Sequence, residues 1–271
     1  MNKLVSVLGV LGALIVACSD DTSSVAPING TTPPAADPDG DGDDGATATP
    51  DAGPTTTPDA GDGGQSALRE QRCIAAGAQL LKPIDKVSTG AVTILSTDAS
   101  GARTVFVDAS AGGTMAAGTN PRVYLNLETA TRVDITDVTA WDSKAWDLAL
   151  KRYIPFTNSG DGGSGDGGAF FIADKAFDAV TAADIVPASL VAESFFEDNC
   201  DAKTDEIGGM STSFDDWYYY EATKLTPNPG TWIVKGATGK HYKLAILDYY
   251  TRPASTDQVS GSITLKLEAL D

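Results

Sequence analysis

The chain has 271 residues, of which 37 are acidic and 19 are basic, so its formal net charge is -18. A protein that binds DNA or RNA needs a basic surface to meet the phosphates, so this balance argues against a nucleic-acid partner. Hydrophobic residues make up 42% of the chain, which is enough to build a core.

Residues 1–18 have the pattern of a bacterial lipoprotein signal. Lys3 supplies the positive start, residues 4–16 are apolar, and Ala17 directly precedes Cys18. The apolar run is short for a permanent membrane span, which favours a secretion signal. Cleavage before Cys18 would leave a lipid-bearing cysteine that anchors the protein in a membrane. The alternative is an ordinary signal peptide that happens to contain a cysteine.

Residues 19–67 have the composition of a disordered linker. They contain ten acidic residues and no basic ones, and few of them could enter a core. Residues 37–48 resemble the start of a calcium-binding EF-hand loop, but the twelfth position is Ala48 where that loop requires Glu. A solvated acidic linker is therefore favoured over a calcium site. Its expected role is to hold a folded domain away from the membrane.

Residues 68–271 are predicted to form one all-β or β-dominated domain of antiparallel sheets with a short N-terminal helix, whose best candidate is 66–81. Apolar and polar residues alternate in several runs that are separated by Gly, Asp, Asn and Pro, as is typical of strands. Short helices at 181–185 or 188–196 remain alternatives. The predicted strands are 91–96, 103–108, 122–126, 146–153, 170–172, 217–223, 231–235, 242–250 and 262–267.

Two cysteines remain once Cys18 carries lipid. Cys73 and Cys200 are an even pair in a chain with an export signal, and an oxidising compartment favours disulfides. We therefore expect a Cys73–Cys200 bond, with two free buried thiols as the alternative.

No pattern typical of a catalytic centre occurs in the sequence, and we expect the protein not to be an enzyme. His241 is the only histidine, so a Ser-His-Asp triad would have to use it. A pair of carboxylates of the glycosidase type remains open, because an Asp-rich β protein offers many pairs. The aromatic residues at 214–220, 232 and 249–250 are predicted either to line an apolar pocket or to pack in the core.

Two segments of the domain carry a family resemblance. The first is WDLALKRY at 146–153, which is followed by TNSGDGGSGDGGA at 157–169. The second is GKHYKLAILDYY at 239–250, which is followed by SGSITLKL at 260–267. The glycine-rich loop is either a flexible connection or a loop bent into conformations that other residues cannot adopt. In this order, and behind a lipoprotein signal, the two segments resemble the HmuY family of haem-binding surface lipoproteins.

The resemblance implies a non-catalytic, haemophore-like protein that is lipid-anchored at the bacterial outer membrane, facing the periplasm or the cell surface. It also implies haem or a related tetrapyrrole as ligand and a TonB-dependent receptor as a possible partner. Family members that bind haem use two axial side chains, which are histidines in some and methionines in others. A module of the same fold that serves adhesion, a structural contact or another ligand is the alternative function.

This chain departs from the two-histidine pattern because it has one histidine. Once the signal is removed, the remaining axial candidates are His241, Met210 and Met115, in that order, since imidazole is the commoner haem ligand. Both methionines lie in glycine-flanked loops. No other metal site is predicted.

Overall fold

The computed structural model describes residues 82–271. The predicted signal, linker and helix at 66–81 lie outside the described residues, and so do Cys18 and Cys73.

Short strands dominate the described part of the chain. It contains one α-helix, α1 (Asp137–Ala140), and six single turns of 3-10 helix at Ala117–Thr119, Gly160–Gly162, Phe177–Ala179, Ala182–Asp184, Pro187–Ser189 and Asp215–Trp217. The strands are β1 (Val92–Thr97), β2 (Arg103–Asp108), β3 (Val123–Asn126), β4 (Thr131–Val133), β5 (Leu148–Lys151), β6 (Ile154–Thr157), β7 (Gly168–Ala173), β8 (Tyr218–Glu221), β9 (Lys224–Pro227), β10 (Gly230–Lys235), β11 (His241–Asp248) and β12 (Ser262–Ala269).

The strands pair into two main sheets and one hairpin. The six-stranded sheet has the order β1-β2-β12-β11-β10-β7, the four-stranded sheet has the order β4-β3-β5-β6, and β8 pairs with β9. All of these pairings are antiparallel. The predicted β-dominated class with antiparallel sheets is therefore confirmed.

The core forms where inward-facing side chains of the two sheets meet. In β12, Ile263, Leu265 and Leu267 are buried while the residues between them are partly exposed. This is the period of two that places alternate side chains on one face of a sheet. The three side chains share one cluster with residues of the four-stranded sheet, among them Leu125 and Leu150.

The two ends of the six-stranded sheet carry different features. At one end, which we call the loop end, β2 stops at Asp108, β11 stops at Asp248 and β12 begins at Ser262. At the other, the turn end, β10 stops at Lys235 and the hairpin turn leads into His241. The eight residues of β12 separate the two ends by roughly 23 Å, at about 3.3 Å per residue.

The predicted strands are present, with shifts at their ends, and three strands were missed. The run at 146–153 is shorter as β5, and the chain turns back at Arg152 into β6. β6 contains Pro155, which cannot donate a hydrogen bond, and the strand accommodates it because it lies at the edge of its sheet. β4 and β9 are too short to show an alternating pattern.

The glycine-rich loop at 160–168 is bent and closely packed. A Cβ atom at Gly160 would lie 2.1 Å from the carbonyl oxygen of Glu193, and one at Gly163 would lie 2.3 Å from Oδ1 of Asn158. Gly160 also has a φ of 49°. Several of these glycines are therefore needed for close approach, which corrects the interpretation of the loop as a flexible connection. The loop reaches the turn end, where the Asp166 amide donates to the Ala237 carbonyl.

The short helices left open at 181–185 and 188–196 resolve into single turns. Ala182–Asp184 and Pro187–Ser189 are 3-10 turns, and the chain beyond them is irregular up to the isolated bridges at Val191 and Phe196.

Candidate functional site at the loop end

His241 lies at the turn end, at the start of β11. Its Nδ1 is 2.8 Å from Oδ2 of Asp271, and its backbone amide donates to Oδ1 of the same residue at 2.7 Å. The hydrogen bonds from His241 lower the pKa of the Asp271 carboxyl. Because Nδ1 is engaged, Nε2 is the ring nitrogen that remains for a ligand. A carboxylate on the other ring nitrogen is a common support for a metal-binding histidine.

Met115 lies at the loop end, on the loop that follows β2. Its side chain is 99% exposed. The backbone of this loop is nevertheless well held, because Nδ2 of Asn120 donates to the carbonyls of Ala111 and Ala116 at 2.9 and 3.2 Å. The neighbouring Thr114 accepts a hydrogen bond from Nη2 of Arg152 at 3.0 Å. The loop therefore presents one thioether to solvent on an anchored backbone.

Met210 is buried, with 5% of its surface exposed. It packs in a second apolar cluster whose larger members are Tyr124, Trp146, Phe156, Phe195 and Phe196. Its loop lies near the loop end, because a Cβ atom at Gly209 would meet the hydroxyl of Tyr153, the residue after Arg152. Met210 is accessible to a ligand only if it leaves this cluster.

The structure therefore does not bring the three candidate ligands together. His241 and Met115 lie at opposite ends of the six-stranded sheet, and Met210 is buried. The described residues thus do not fit a haem site with two axial side chains in the arrangement that the structure shows. They do present Met115 at the loop end as an exposed axial candidate.

Aromatic side chains surround the same end. Tyr153 and Trp217 both contact Tyr218, with ring centroids 6.0 and 4.8 Å apart, and Trp217 lies 5.4 Å from Tyr249. The hairpin of β8 and β9 extends from this cluster and exposes 45% of Tyr219 and 54% of its neighbour Tyr220. The predicted aromatic set thus divides into core residues and an exposed pair.

Hydrogen bonds fix the orientation of these phenols. The hydroxyl of Tyr218 donates to Oδ2 of Asp205 at 2.8 Å, and the amide of Leu225 donates to the hydroxyl of Tyr250 at 2.8 Å. Burial raises the pKa of Tyr153 to about 12, and burial together with the nearby Asp205 raises the pKa of Tyr218. The phenols of Tyr153 and Tyr218 therefore stay neutral near pH 7, and they offer flat apolar faces rather than charge.

Cys200 is disulfide-bonded in the structure. Its expected partner, Cys73, lies outside the described residues, so the Cys73–Cys200 pairing stays a prediction. Within residues 82–271, no group of three or more His, Cys, Asp or Glu side chains is placed to hold a metal ion. In the same range, none of the helices has the length and apolar character needed to cross a membrane.

Sequence reasoning missed several buried or half-buried polar residues that shape the fold around this site. Glu193 joins the glycine-rich loop to the segment at 213, and Lys151 is buried at the end of β5. Arg252 lines a polar pocket beside the Met115 loop. None lies in a sequence pattern that signals its role, because the partners are distant in the chain.

The fold and this end define a class: an antiparallel β protein that presents exposed loops and aromatic side chains at one end of its sheet. The family model for the HmuY protein matches residues 119–266, more than half of the chain. The chain therefore belongs to the HmuY family, and the resemblance drawn from the sequence is confirmed. No curated protein matched the sequence.

Three solved structures resemble the chain. One is a candidate lipoprotein from Bacteroides fragilis, with 19% identity, a TM-score of 0.43, and coverage of 64% of this chain and 94% of that one. The second is a candidate HmuY-like haem-binding protein from Bacteroides vulgatus. Its identity is 17% and its TM-score is 0.45, and the match covers 64% of this chain and 95% of that one. The third is an apo HmuY analogue from Tannerella forsythia. Its identity is 16% and its TM-score is 0.44, and the match covers 66% of this chain and 98% of that one.

Proposed function

We propose that this protein is a non-catalytic surface lipoprotein that binds haem or a related tetrapyrrole at the loop end. Membership of the HmuY family is the observation that carries the proposal. The exposed thioether of Met115 and the exposed faces of Tyr219 and Tyr220 support the location. When bound, haem would supply an iron atom whose axial positions accept a thioether or an imidazole. Met115 would coordinate, and the tyrosines would pack on the macrocycle.

This location changes the order of the candidate ligands. Met115 comes first because it is exposed at the loop end, and Met210 comes second because it lies near the same end but is buried. His241 comes last, since it lies at the turn end and is held by Asp271. Binding through a single axial side chain is expected to be weaker than binding through two.

The proposal is tested by titrating ferric and ferrous haem into the purified protein and recording the Soret band. We expect a shifted band for the wild type and a loss of at least tenfold in affinity for Met115→Ala, because the axial bond is removed. Met210→Ala and His241→Ala are the matched comparisons, and His241→Ala should leave the titration unchanged. No Soret shift for the wild type with either oxidation state would refute haem binding.

A second candidate function is a binding module of the same fold for a ligand other than haem. The observation that favours it is the separation of His241, Met115 and Met210, which leaves no preformed pair of axial ligands among these three described residues. If the haem titration fails, this function replaces the first and the family assignment stands.

We also propose the chain layout and location that the sequence predicts. Residues 1–18 form the lipoprotein signal, which is cleaved before Cys18 so that Cys18 becomes the N-terminus, residues 19–67 are a linker, and residues 68–271 are the domain. The lipid on Cys18 would hold the domain at the bacterial outer membrane, where a TonB-dependent receptor is the proposed partner for haem transfer.

The anchor is tested by changing Cys18→Ala. The wild type should partition with the membrane fraction, and the variant should be released, because its acyl chains are lost. Ser19→Ala in parallel controls for a substitution beside the cleavage site as such. A variant at position 18 that stays in the membrane fraction would contradict lipid anchoring.

A further inference from the structure

A polar pocket lies at the loop end, beside the base of the Met115 loop. Its volume is about 250 Å³, and its lining includes Ser88, Asp108, Ser110, Asn120 and Arg252. Pockets that enclose drug-sized ligands usually measure about 300–1,000 Å³, so this one admits a small group rather than a macrocycle.

Arg252 supplies the positive charge of the pocket. Its Nη2 donates to Oδ2 of Asp108 at 3.0 Å, and its Nε is buried without a hydrogen-bond partner. A guanidinium has five N–H donors, so most of the donating capacity of Arg252 is not used by Asp108. Because 38% of the side chain is exposed, the guanidinium can adjust its position when an acceptor enters.

The acceptors in the pocket are already largely engaged. Oδ1 of Asp108 accepts from the amide and the hydroxyl of Ser110 at 3.1 and 2.5 Å, and Oδ2 accepts from Arg252. Ser88 accepts a hydrogen bond from the Gly90 amide at 3.1 Å, which leaves its own hydroxyl proton free to donate. The unused capacity of the pocket is therefore mainly that of a donor, which suits a ligand that only accepts.

We propose that this pocket binds a small carboxylate group, with Arg252 as the binding residue and Asp108 as the residue that positions it. A planar carboxylate matches the paired N–H groups of a guanidinium better than a hydroxyl or an ammonium does. Asp108 neutralises part of the positive charge, so we expect weak, millimolar binding of a free carboxylate.

The carboxylate has two possible sources. It is either a free small acid or the propionate arm of a tetrapyrrole held at the loop end, and the second source rests on the proposed function. The pocket wall includes Ala111 and Gly112 of the loop that carries Met115, which places the pocket next to the proposed haem position.

The first arm of the test uses no tetrapyrrole. Sodium propionate is titrated into the full-length protein at pH 7, and the amide chemical shifts of Gly90, Ala111 and Gly112 are followed by NMR. We expect saturable shifts at these amides in the wild type and their loss in Arg252→Gln. Lys144→Gln, an exposed lysine away from the pocket, is the matched control and should behave as the wild type. Absence of saturable shifts in the wild type would overturn the proposal.

The second arm identifies the source by comparing mesoporphyrin IX with its dimethyl ester, which lacks free carboxylates. If a propionate group of a tetrapyrrole occupies the pocket, the free acid should bind at least fivefold more tightly than the dimethyl ester. Arg252→Gln should abolish this difference in affinity, and Met115→Ala should preserve it. Propionate binding with no porphyrin binding would keep the site and refute the haem function. If the free acid and the ester bind equally tightly and propionate causes no saturable shifts, the carboxylate site is refuted and the haem function stands.

Discussion

Glu193→Ala is expected to lower the free energy of unfolding by about 3–5 kcal/mol, because it removes the acceptor for several buried donors. The Glu193 carboxylate accepts from the amide and hydroxyl of Thr157 at 2.7 and 2.9 Å. It also accepts from the amide and hydroxyl of Ser213 at 2.9 and 2.5 Å. The side chain is buried, and burial raises the pKa of its carboxyl.

The backbone of Glu193 makes the same connection. Its amide donates to Oγ of Ser159 at 3.1 Å, and its carbonyl accepts from the Asp161 amide at 2.9 Å. Glu193 thus holds the start of the glycine-rich loop and the segment at 213 together. Its removal should loosen both, and a lower midpoint should be accompanied by proteolytic sensitivity within residues 157–168.

Thermal unfolding followed by circular dichroism checks this prediction. At about 2–4 °C per kcal/mol for a domain of this size, the midpoint should fall by roughly 10 °C. Glu193→Gln keeps one carbonyl acceptor but places an amide group near Ser213. Its midpoint of unfolding should therefore lie between those of the wild type and the alanine variant. Glu197→Ala removes an exposed glutamate four residues away and should change the midpoint by less than about 2 °C. A wild-type midpoint for Glu193→Ala would contradict the assigned role.

Residues such as Glu193 mark the limit of what the sequence predicts. The alternation of apolar residues in β11 and β12 is a local signal, and it led to the correct sheet class. The partners of Glu193 lie 36 and 20 residues away, so no local pattern reveals that it is buried. The surrounding segment is irregular, and the helix considered at 188–196 would have placed Glu193 on a surface instead.

The two methionines show the same limit at the candidate site. Met115 and Met210 both follow glycine-rich turns and are followed by small residues, so their local sequences look alike. One is 99% exposed and the other is 5% exposed. The difference comes from the apolar cluster in which Met210 packs, whose members Tyr124, Trp146 and Phe156 lie far from it in the chain. His241 lies directly before the predicted strand at 242–250 and is the first residue of β11, but its distance from both methionines depends on the sheet order.

Lys151 is a buried charged residue whose burial lowers the stability of the folded protein. Its side chain is 2% exposed, and its Nζ has no hydrogen-bond partner. The nearby Arg122 already pairs with Asp137, with Nη1 and Oδ2 3.2 Å apart. Burial, together with repulsion from Arg122, lowers the pKa of the Lys151 ammonium from 10.5 to about 8, and Asp137 only partly opposes this effect.

The lowered pKa determines how stability should change with pH. At pH 7 the lysine is protonated in both the folded and the unfolded chain, so the folded protein bears the full cost of burying the charge. That cost is about 3 kcal/mol, since each tenfold change in proton affinity corresponds to about 1.4 kcal/mol. Between pH 8 and pH 10.5 the folded chain has released a proton that the unfolded chain still holds. The free energy of unfolding should therefore rise with pH across this window.

Lys151→Met is expected to stabilise the domain by about 3 kcal/mol at pH 7, because methionine keeps the length of the side chain and removes the charge. The midpoint of unfolding should rise by roughly 5–10 °C at pH 7. This advantage should shrink across pH 8 to pH 10.5 and be close to zero only above pH 10.5, where the lysine is neutral in both the folded and the unfolded chain. Lys144→Met makes the same substitution at an exposed site and should show no such pH-dependent gain. A variant at position 151 that is less stable than the wild type at pH 7, or a gain that stays constant up to pH 10, would show that the buried ammonium is compensated in the folded protein.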